Sequence, residues 1–173
     1  KNSSNCFVVR TGSETCSIYT GIGSGGSVQL TGSLMAAGIE PGTIGAVVIT
    51  HFRPDHVGGL VGKDGAAAFP TARLMVPRIE VETNPQAAMK FMQAYAGRLH
   101  TFEWDPAVAD GIVAVAANGP PPGHTAFPVE NGGSQLMIAA DLTHSRGNQF
   151  PVPGAPVTYD TAPVTAPSPR NPS

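Results

Sequence analysis

Residues 46–60, with the sequence AVVITHFRPDHVGGL, contain the pattern that decides the fold. The stretch begins with four apolar residues without polar alternation, which predicts a strand buried on both faces. His51, Asp55 and His56 follow directly, and open α/β folds commonly build their sites just past the end of such a strand. Imidazole and carboxylate groups together suit zinc, manganese or iron. The stretch therefore predicts a metal site at the edge of a sheet.

The segment 50–59 resembles the metal-binding signature of the metallo-β-lactamase superfamily, which reads T-H-x-H-x-D-H-x-G-G. Further segments resemble other motifs of this family in the family's order: 5–12 its first hairpin strand, 20–23 its D-T-G turn, 122–125 its P-G-H-T segment and 136–142 its G-D segment. Segments 69–72 and 149–150 resemble the branch that contains methyl parathion hydrolase and related lactonases and esterases. The resemblance extends over roughly residues 5–150.

This resemblance implies an α/β fold of the metallo-β-lactamase type, an αββα sandwich, over residues 1–150 and incomplete in its C-terminal half. Residues 151–173 contain seven prolines, which supply no strand hydrogen-bond donor and restrict their neighbours. We predict an extended tail or a covering loop for this segment. In the family, the same region would hold the closing strands and helices of the second half.

The resemblance also implies a set of metal ligands. In the resembling enzymes two metal sites share a bridging aspartate, and Asp141 matches that position. His51 matches a ligand of the first site, whereas Asp55 and His56 match ligands of the second. The implied ligands are therefore His51, Asp55, His56 and Asp141. Asp55 and His51 are the implied catalytic residues, Asp55 to orient the attacking hydroxide and His51 to support the site or act as a weak extra ligand.

Several family ligand positions carry other residues, so the site is degenerate. Arg53 stands where the signature has its second histidine, and guanidinium has no lone pair with which to bind a metal. Counting back from Asp141 through His124 puts Pro120 at the next histidine ligand, and makes His124 the second, usually non-ligating, histidine of that motif. No histidine follows His144. Asp55, His56 and Asp141 remain as three ligands with open positions, which predicts a mononuclear site and excludes a dinuclear one.

Arg53 has two predicted orientations. Held about 5 Å from a divalent ion, it would cost roughly 6–7 kcal/mol at an effective dielectric constant near 20. It would therefore either swing out to solvent or occupy the place of the metal and neutralise Asp55 and Asp141. The second orientation is our hypothesis for a metal-free variant of the fold.

Two functions follow from these observations. The first is a hydrolase of a small ester, lactone or phosphotriester that uses a metal-activated water, with zinc as the first expectation and manganese or iron as alternatives. The alternative is a catalytically inactive homologue with a binding or structural role, no cofactor, and Arg53 in place of the metal. A third interpretation is an altered copy that folds only with a partner chain. Thr143 and Ser145 have no general base arranged by spacing, so serine-type catalysis is not indicated.

Composition restricts the partners. The net charge of −2 gives no electrostatic footprint for nucleic acid or for an anionic membrane. No apolar run approaches the length of a membrane span, and no signal peptide begins the chain. Because the first residue is Lys1, an upstream segment could precede this sequence, so the cellular location stays open. A shortened second half would expose an apolar sheet face and so favour a homodimer.

The remaining element predictions concern the scaffold. A hairpin turn at residues 12–13 would pair Val9, not Cys6, with Cys16, so a disulfide is not indicated. His124 is predicted to be a loop-orienting hydrogen-bond partner and His144 a solvated loop histidine. Helices are predicted at 28–37, with Gly38 as C-cap, and at 85–99, with Met89 and Met92 in the core; strands are predicted at 73–76, 112–117 and 136–140, the last delivering Asp141.

Overall fold

Two β-sheets form the centre of the computed structural model, which describes residues 5–23, 30–104, 107–117, 121–144 and 146–152. The first sheet has five strands, in the order β1 (Phe7–Arg10), β2 (Thr15–Ile18), β3 (Ala46–Val48), β4 (Arg73–Pro77) and β5 (Leu99–Phe102). β1 and β2 form the predicted antiparallel hairpin, with Val9 opposite Cys16. Cys6 and Cys16 are free cysteines in the structure. The other neighbours in this sheet are parallel.

The second sheet is antiparallel and comes from the later part of the chain. Its strands are β6 (Ala107–Ala109), β7 (Ile112–Val113), β8 (Val115–Ala116), β9 (Thr125–Asn131) and β10 (Ser134–Ile138). The order is β10-β9-β7-β6, and β8 pairs with β9. Strand β10 therefore lies at one edge of this sheet as far as the structure describes it, and its Leu136 and Met137 are about half exposed.

The helices are short and belong mostly to the first half of the chain. They are α1 (Leu30–Ala36), α2 (Pro54–Val57), α3 (Arg78–Thr83), α4 (Pro85–Ala94) and α5 (Arg146–Gln149), with single 3-10 turns at Pro41–Thr43 and Ala140–Leu142. Gly38 has a φ of 72°, a conformation that favours glycine, so it ends α1 as predicted. Residues 28–29 of the predicted helix lie outside the described residues. No helix in the described ranges has the length and apolarity needed to cross a membrane.

The packing of strand β3 explains why its sequence is apolar without alternation. Val47 packs in a core that also contains Leu34 of α1 and Phe91 of α4. Its neighbour Val48 packs in a second core, with Ile112 and other side chains of the second sheet. The two faces of β3 thus serve two different cores, one between helices and sheet and one between the two sheets. The predicted two-sided burial is confirmed, since Ala46–Val48 is buried throughout.

Two predictions about helix α4 need correction. The second predicted helix ends at Ala94, because Gly97 adopts a φ of 71° and Leu99 already begins β5. Met89 and Met92 are 57% and 52% exposed, so their predicted core position is wrong. The buried side chains of α4 are Ala88, which belonged to the predicted apolar stripe, and Phe91, which did not.

The region around Asp141 also differs from its prediction. β10 ends at Ile138, and Asp141 follows in the 3-10 turn, after Ala140 with a φ of 53°. Strand β9 and helix α3 were not predicted. The predicted division at residue 150 stays a prediction, because residues 153–173 lie outside the described part of the chain.

Candidate metal centre

The loop after β3 places the first histidine pair. β3 ends, residues 50–53 run on, and Pro54 starts α2 at a position where its missing N–H costs nothing. The backbone N–H groups of His56 and Val57 both donate to the Arg53 carbonyl, which closes the first turn of α2. As a result the rings of His51 and His56 lie against each other at a tilt, with centroids 4.2 Å apart and an angle of 43° between their planes.

Two glycines allow this loop to pack against the hairpin. A Cβ at Gly58 would collide with the Ile22 carbonyl, and one at Gly59 would collide with the Thr20 carbonyl. The Gly59 N–H donates to the Gly21 carbonyl at 3.2 Å, and the Thr20 side chain donates to the His56 carbonyl at 2.9 Å. The glycine pair of the signature is therefore required for close backbone approach.

Asp141 meets both histidines from the second sheet. His56 Nε2 lies 3.1 Å from Asp141 Oδ1, and His51 Nε2 lies 3.5 Å from Asp141 Oδ2. One ligand atom from each of the three residues lies within 4.8 Å of the other two. His51 is fully buried and the Asp141 side chain is 13% exposed. These residues come from two sheets, so only the folded chain brings them together.

Asp55 lies beside this group and outside it. Its Oδ2 is 3.4 Å from His56 Nε2, but its side chain is 43% exposed. The structure thus clusters His51, His56 and Asp141, whereas the predicted mononuclear set was Asp55, His56 and Asp141. Asp55 lies at the solvent edge because its side chain faces out from the first turn of α2.

Two further side chains that can donate a hydrogen bond lie near Asp141 Oδ2. Arg53 Nη1 is 3.4 Å away and His144 Nε2 is 3.6 Å away, and each of these side chains is 22% exposed. Arg53 therefore adopts the inward orientation of the two that we considered. His144 is an exposed loop residue, as predicted, but its ring also approaches Asp141. Gln149, which is buried, accepts a hydrogen bond from the His144 backbone N–H at 2.7 Å and so holds this loop against the site.

His124 holds Asp141 through the backbone. The Asp141 N–H donates to His124 Nε2 at 3.1 Å, so this nitrogen carries the lone pair. Nδ1 then carries the proton and donates to the Ala117 carbonyl at 3.0 Å. Burial, and next the charge of His51, lower the pKa of His124 to about 3, so the ring is neutral near pH 7. The predicted hydrogen-bonding role of His124 is confirmed, whereas Pro120 lies outside the described residues.

Glu80 is a site residue that sequence reasoning missed. It is 1% exposed, and its carboxylate accepts hydrogen bonds from the Phe52 N–H at 2.8 Å and from the Gly123 N–H at 3.2 Å. Asn84 donates a longer bond to the same carboxylate at 3.4 Å. The one sequence signal for Glu80 is its position soon after a strand. Exposed Glu82 has the same signal, so the sequence could not distinguish the two.

Charges and hydrogen bonds in the cluster suit a divalent ion. Burial lowers the pKa of His51 to about 4 despite the opposing effect of Asp141, so His51 is neutral at pH 7. Burial would raise the pKa of Asp141, but the neighbouring imidazoles of His144, His51 and His56 outweigh it and hold that pKa well below its usual range. A neutral imidazole and an ionised carboxylate are the forms that bind metal.

Unsatisfied polar atoms point to the same place. In the described part of the chain, the buried side-chain atoms without a hydrogen-bond partner are Tyr19 Oη, His51 Nε2 and His56 Nδ1. Their rings touch, because Tyr19 lies 4.8 Å from His56 and His56 lies 4.2 Å from His51. Buried polar groups are normally paired, so a cluster of unpaired ones calls for a missing partner. The donor set therefore fits one ion with open positions.

Comparisons with known proteins identify the family. The sequence matches the metallo-beta-lactamase superfamily over residues 1–171. The chain therefore belongs to the metallo-beta-lactamase superfamily. No curated protein matches the sequence significantly. The two sheets and this match confirm the fold class expected from the sequence.

Solved structures resemble the chain over most of its length. AidC, a dizinc quorum-quenching lactonase in complex with a product, N-hexanoyl-L-homoserine, is 25% identical with a TM-score of 0.83. AbOPH, a hydrolase in the beta lactamase superfamily, is 26% identical with a TM-score of 0.84. A probable metal-dependent hydrolase from Staphylococcus aureus, 22% identical with a TM-score of 0.79, shows the same fold.

The coverage of these structures is unequal. They cover 95%, 95% and 96% of this chain, but the chain covers only 65%, 65% and 67% of theirs. The chain thus spans about two thirds of the length of these proteins.

Proposed function

We propose that the protein is a metal-dependent hydrolase that cleaves an ester, lactone or phosphotriester bond of a small molecule. His51, His56 and Asp141 would hold one divalent ion, with Asp55 as a further ligand from the solvent side. Zinc suits this set of nitrogen and oxygen ligands best, and manganese and iron are the alternatives. The lactonase and hydrolase among the similar structures support this class of reaction.

The chemistry divides between the ion and the chain. When bound, the ion would lower the pKa of a water molecule and polarise the bond to be cleaved. Asp55, with its side chain 43% exposed, would accept a hydrogen bond from the attacking water and so direct its lone pair. His51 would keep its Nε2 lone pair turned toward the site as a weak ligand. His124 would hold Asp141 in place through the backbone N–H.

The observation that carries this proposal is the group of three ligand atoms. His51, His56 and Asp141 each offer one atom within 4.8 Å of the others, and His51 Nε2 is buried with no hydrogen-bond partner. The neutral imidazole of His51 and the ionised carboxylate of Asp141, 3.5 Å apart, are the protonation states in which these groups bind a divalent ion.

A second candidate function rests on Arg53. Its guanidinium lies 3.4 Å from Asp141 Oδ2 and supplies a positive charge where the family has a metal ligand. In this case the protein is a catalytically inactive homologue with a binding or structural role, and Arg53 replaces the ion.

Metal analysis separates the two functions. The protein is purified, dialysed without chelator and analysed by inductively coupled plasma mass spectrometry. The hydrolase proposal predicts about one equivalent of metal. An Asp141→Asn variant should lose the metal, and a His100→Ala variant, changed at an exposed strand position, should keep it. Ester, lactone and phosphotriester substrates are then tested on both forms.

The opposite result would be equally informative. No metal above background, even after incubation with excess zinc, manganese or iron, would overturn the hydrolase proposal and favour Arg53 as the resident cation.

A further inference from the structure

Glu80 contacts both loops that carry residues of the metal centre. Phe52, which donates to Oε2, lies between His51 and Arg53 in the first loop. Gly123, which donates to Oε1, directly precedes His124 in the second loop. Each carboxylate oxygen therefore binds a different loop.

The second loop leads to Asp141 through His124. His124 Nε2 accepts the Asp141 N–H at 3.1 Å, and its Nδ1–H donates to the Ala117 carbonyl. Glu80 is thus joined to His51 through its chain neighbour Phe52, and to Asp141 through Gly123, its chain neighbour His124 and the hydrogen bond between His124 and Asp141.

The packing around Glu80 leaves little room for adjustment. A Cβ on Gly123 would lie 2.5 Å from Glu80 Oε1 and 2.6 Å from Ile79 Cγ2. The second loop therefore lies directly on the start of α3, and glycine is needed for this approach.

A buried carboxylate is costly unless hydrogen bonds compensate for its burial. Burial raises the pKa of Glu80, while the bonds from Phe52 and Gly123 and the charge of Arg53 lower it. An apolar side chain of similar size would pack without this cost. The specific gain from a carboxylate at this position is the pair of charge-assisted bonds to two separate loops.

We propose that Glu80 is a positioning residue of the metal centre, whose carboxylate fixes the distance between the loop that carries His51 and the loop that holds Asp141. Its effect on metal binding rests on the function proposed above, but its effect on the two loops does not.

The test compares Glu80→Gln with Glu82→Gln, an exposed position on the same helix. Glutamine preserves the size of Glu80 but places an amide NH₂ against one of the two backbone N–H groups. In the metal-free protein, hydrogen–deuterium exchange should accelerate by about tenfold or more in peptides that contain residues 51–53 or 123–125. Peptides from β1 and β2 should exchange as in the wild type. Glu80→Ala, if it folds, should loosen both loops further.

A second measurement separates positioning from general stability. Zinc affinity is determined by competition with a chromophoric chelator, well below the unfolding temperature, on variants with a wild-type circular dichroism spectrum. Glu80→Gln should weaken zinc binding by about tenfold, whereas Glu82→Gln should leave it unchanged.

Wild-type exchange in both loops of Glu80→Gln would overturn the proposal, and so would unchanged zinc affinity with loosened loops. If the wild-type chain itself binds no zinc, the proposed hydrolase fails, and the exchange result alone decides whether Glu80 joins the loops.

Discussion

At the scale of single residues, hydrogen bonds assign the histidines different tasks. His124 uses both ring nitrogens within the protein, so it has no lone pair to offer a ligand. His51 contacts Thr50 through Nδ1 and keeps Nε2 toward Asp141. The motif predicted which histidines surround the site, because the spacing fixes their place after β3. It did not predict the position of His144, which depends on the buried contact of Gln149.

Arg53 provides the sharpest single-residue test. Replacing it by histidine in an Arg53→His variant should tighten zinc binding by about tenfold or more, because the change removes a cation beside Asp141 and adds a nitrogen ligand. Chelator competition measures the affinity. Arg53→Ala separates the two effects, since it removes only the charge, and Arg78→Ala is the surface control. Equal affinity in the wild type and in Arg53→His would contradict the role we assign to Arg53.

The buried histidines make stability depend on pH. The pKa values of His51 and His124 are lowered to about 4 and about 3 in the folded protein, against 6.5 for an ordinary histidine. Since the unfolded chain binds protons first, stability is complete above pH 6.5 and falls as the pH drops toward 4. The slope for each histidine should be roughly 1.4 kcal/mol per pH unit.

Urea unfolding of metal-free protein between pH 7.5 and 4.5 measures this slope. His124→Asn should reduce it by about one proton, and His100→Ala should leave it unchanged. A stability that is flat over this range would show that the two rings are not buried in neutral form.

At the scale of elements, apolar patterns predicted strands better than helix faces. β3 was predicted because both of its faces are buried, which leaves an unbroken apolar run. The face of α4 was misjudged because Met89 and Met92 are as apolar as Phe91, and only the packing of α4 on Leu74 and its neighbours distinguishes them. Glu80 shows the same limit in the site, since its partners are backbone groups far away in sequence.

The glycine pair after α2 should tolerate no side chain. Gly59→Ala would drive a methyl group into the Thr20 carbonyl, and overpacking of this kind costs about 1–3 kcal/mol. Gly32→Ala is the matched control, because its Cβ meets nothing within 4 Å and lies in α1. That change should stabilise the protein by about 0.5–1 kcal/mol. Urea unfolding at pH 7.5 compares the two, and a Gly59→Ala variant as stable as the wild type would contradict the close approach.

At the scale of the whole molecule, two cores share one central strand. The resemblance predicted the sandwich, but it did not predict how far the second sheet is covered. Leu136 and Met137 are 55% and 50% exposed on β10, which lies at an edge of the described sheet. Exposed apolar edge strands favour pairing with another chain.

We therefore expect self-association through β10. Analytical ultracentrifugation should show a concentration-dependent dimer, and Leu136→Lys should lower its association constant by about tenfold because a charge is placed in the apolar contact. Met35→Lys is the control, an exposed apolar residue on α1. A monomer at all concentrations would leave the proposed homodimer without support.

The division of roles between β3 and the loop that follows it has an evolutionary consequence. Residues 46–49 hold two cores together, whereas the proposed metal ligands begin only at His51. A lineage can thus exchange a residue such as Arg53 without disturbing either core. Selection for a stable fold therefore acts on the residues of β3, and selection for activity acts on the neighbouring residues of the loop. Descendants of one enzyme can accordingly drift toward new ligands, or toward none, while they inherit an intact scaffold.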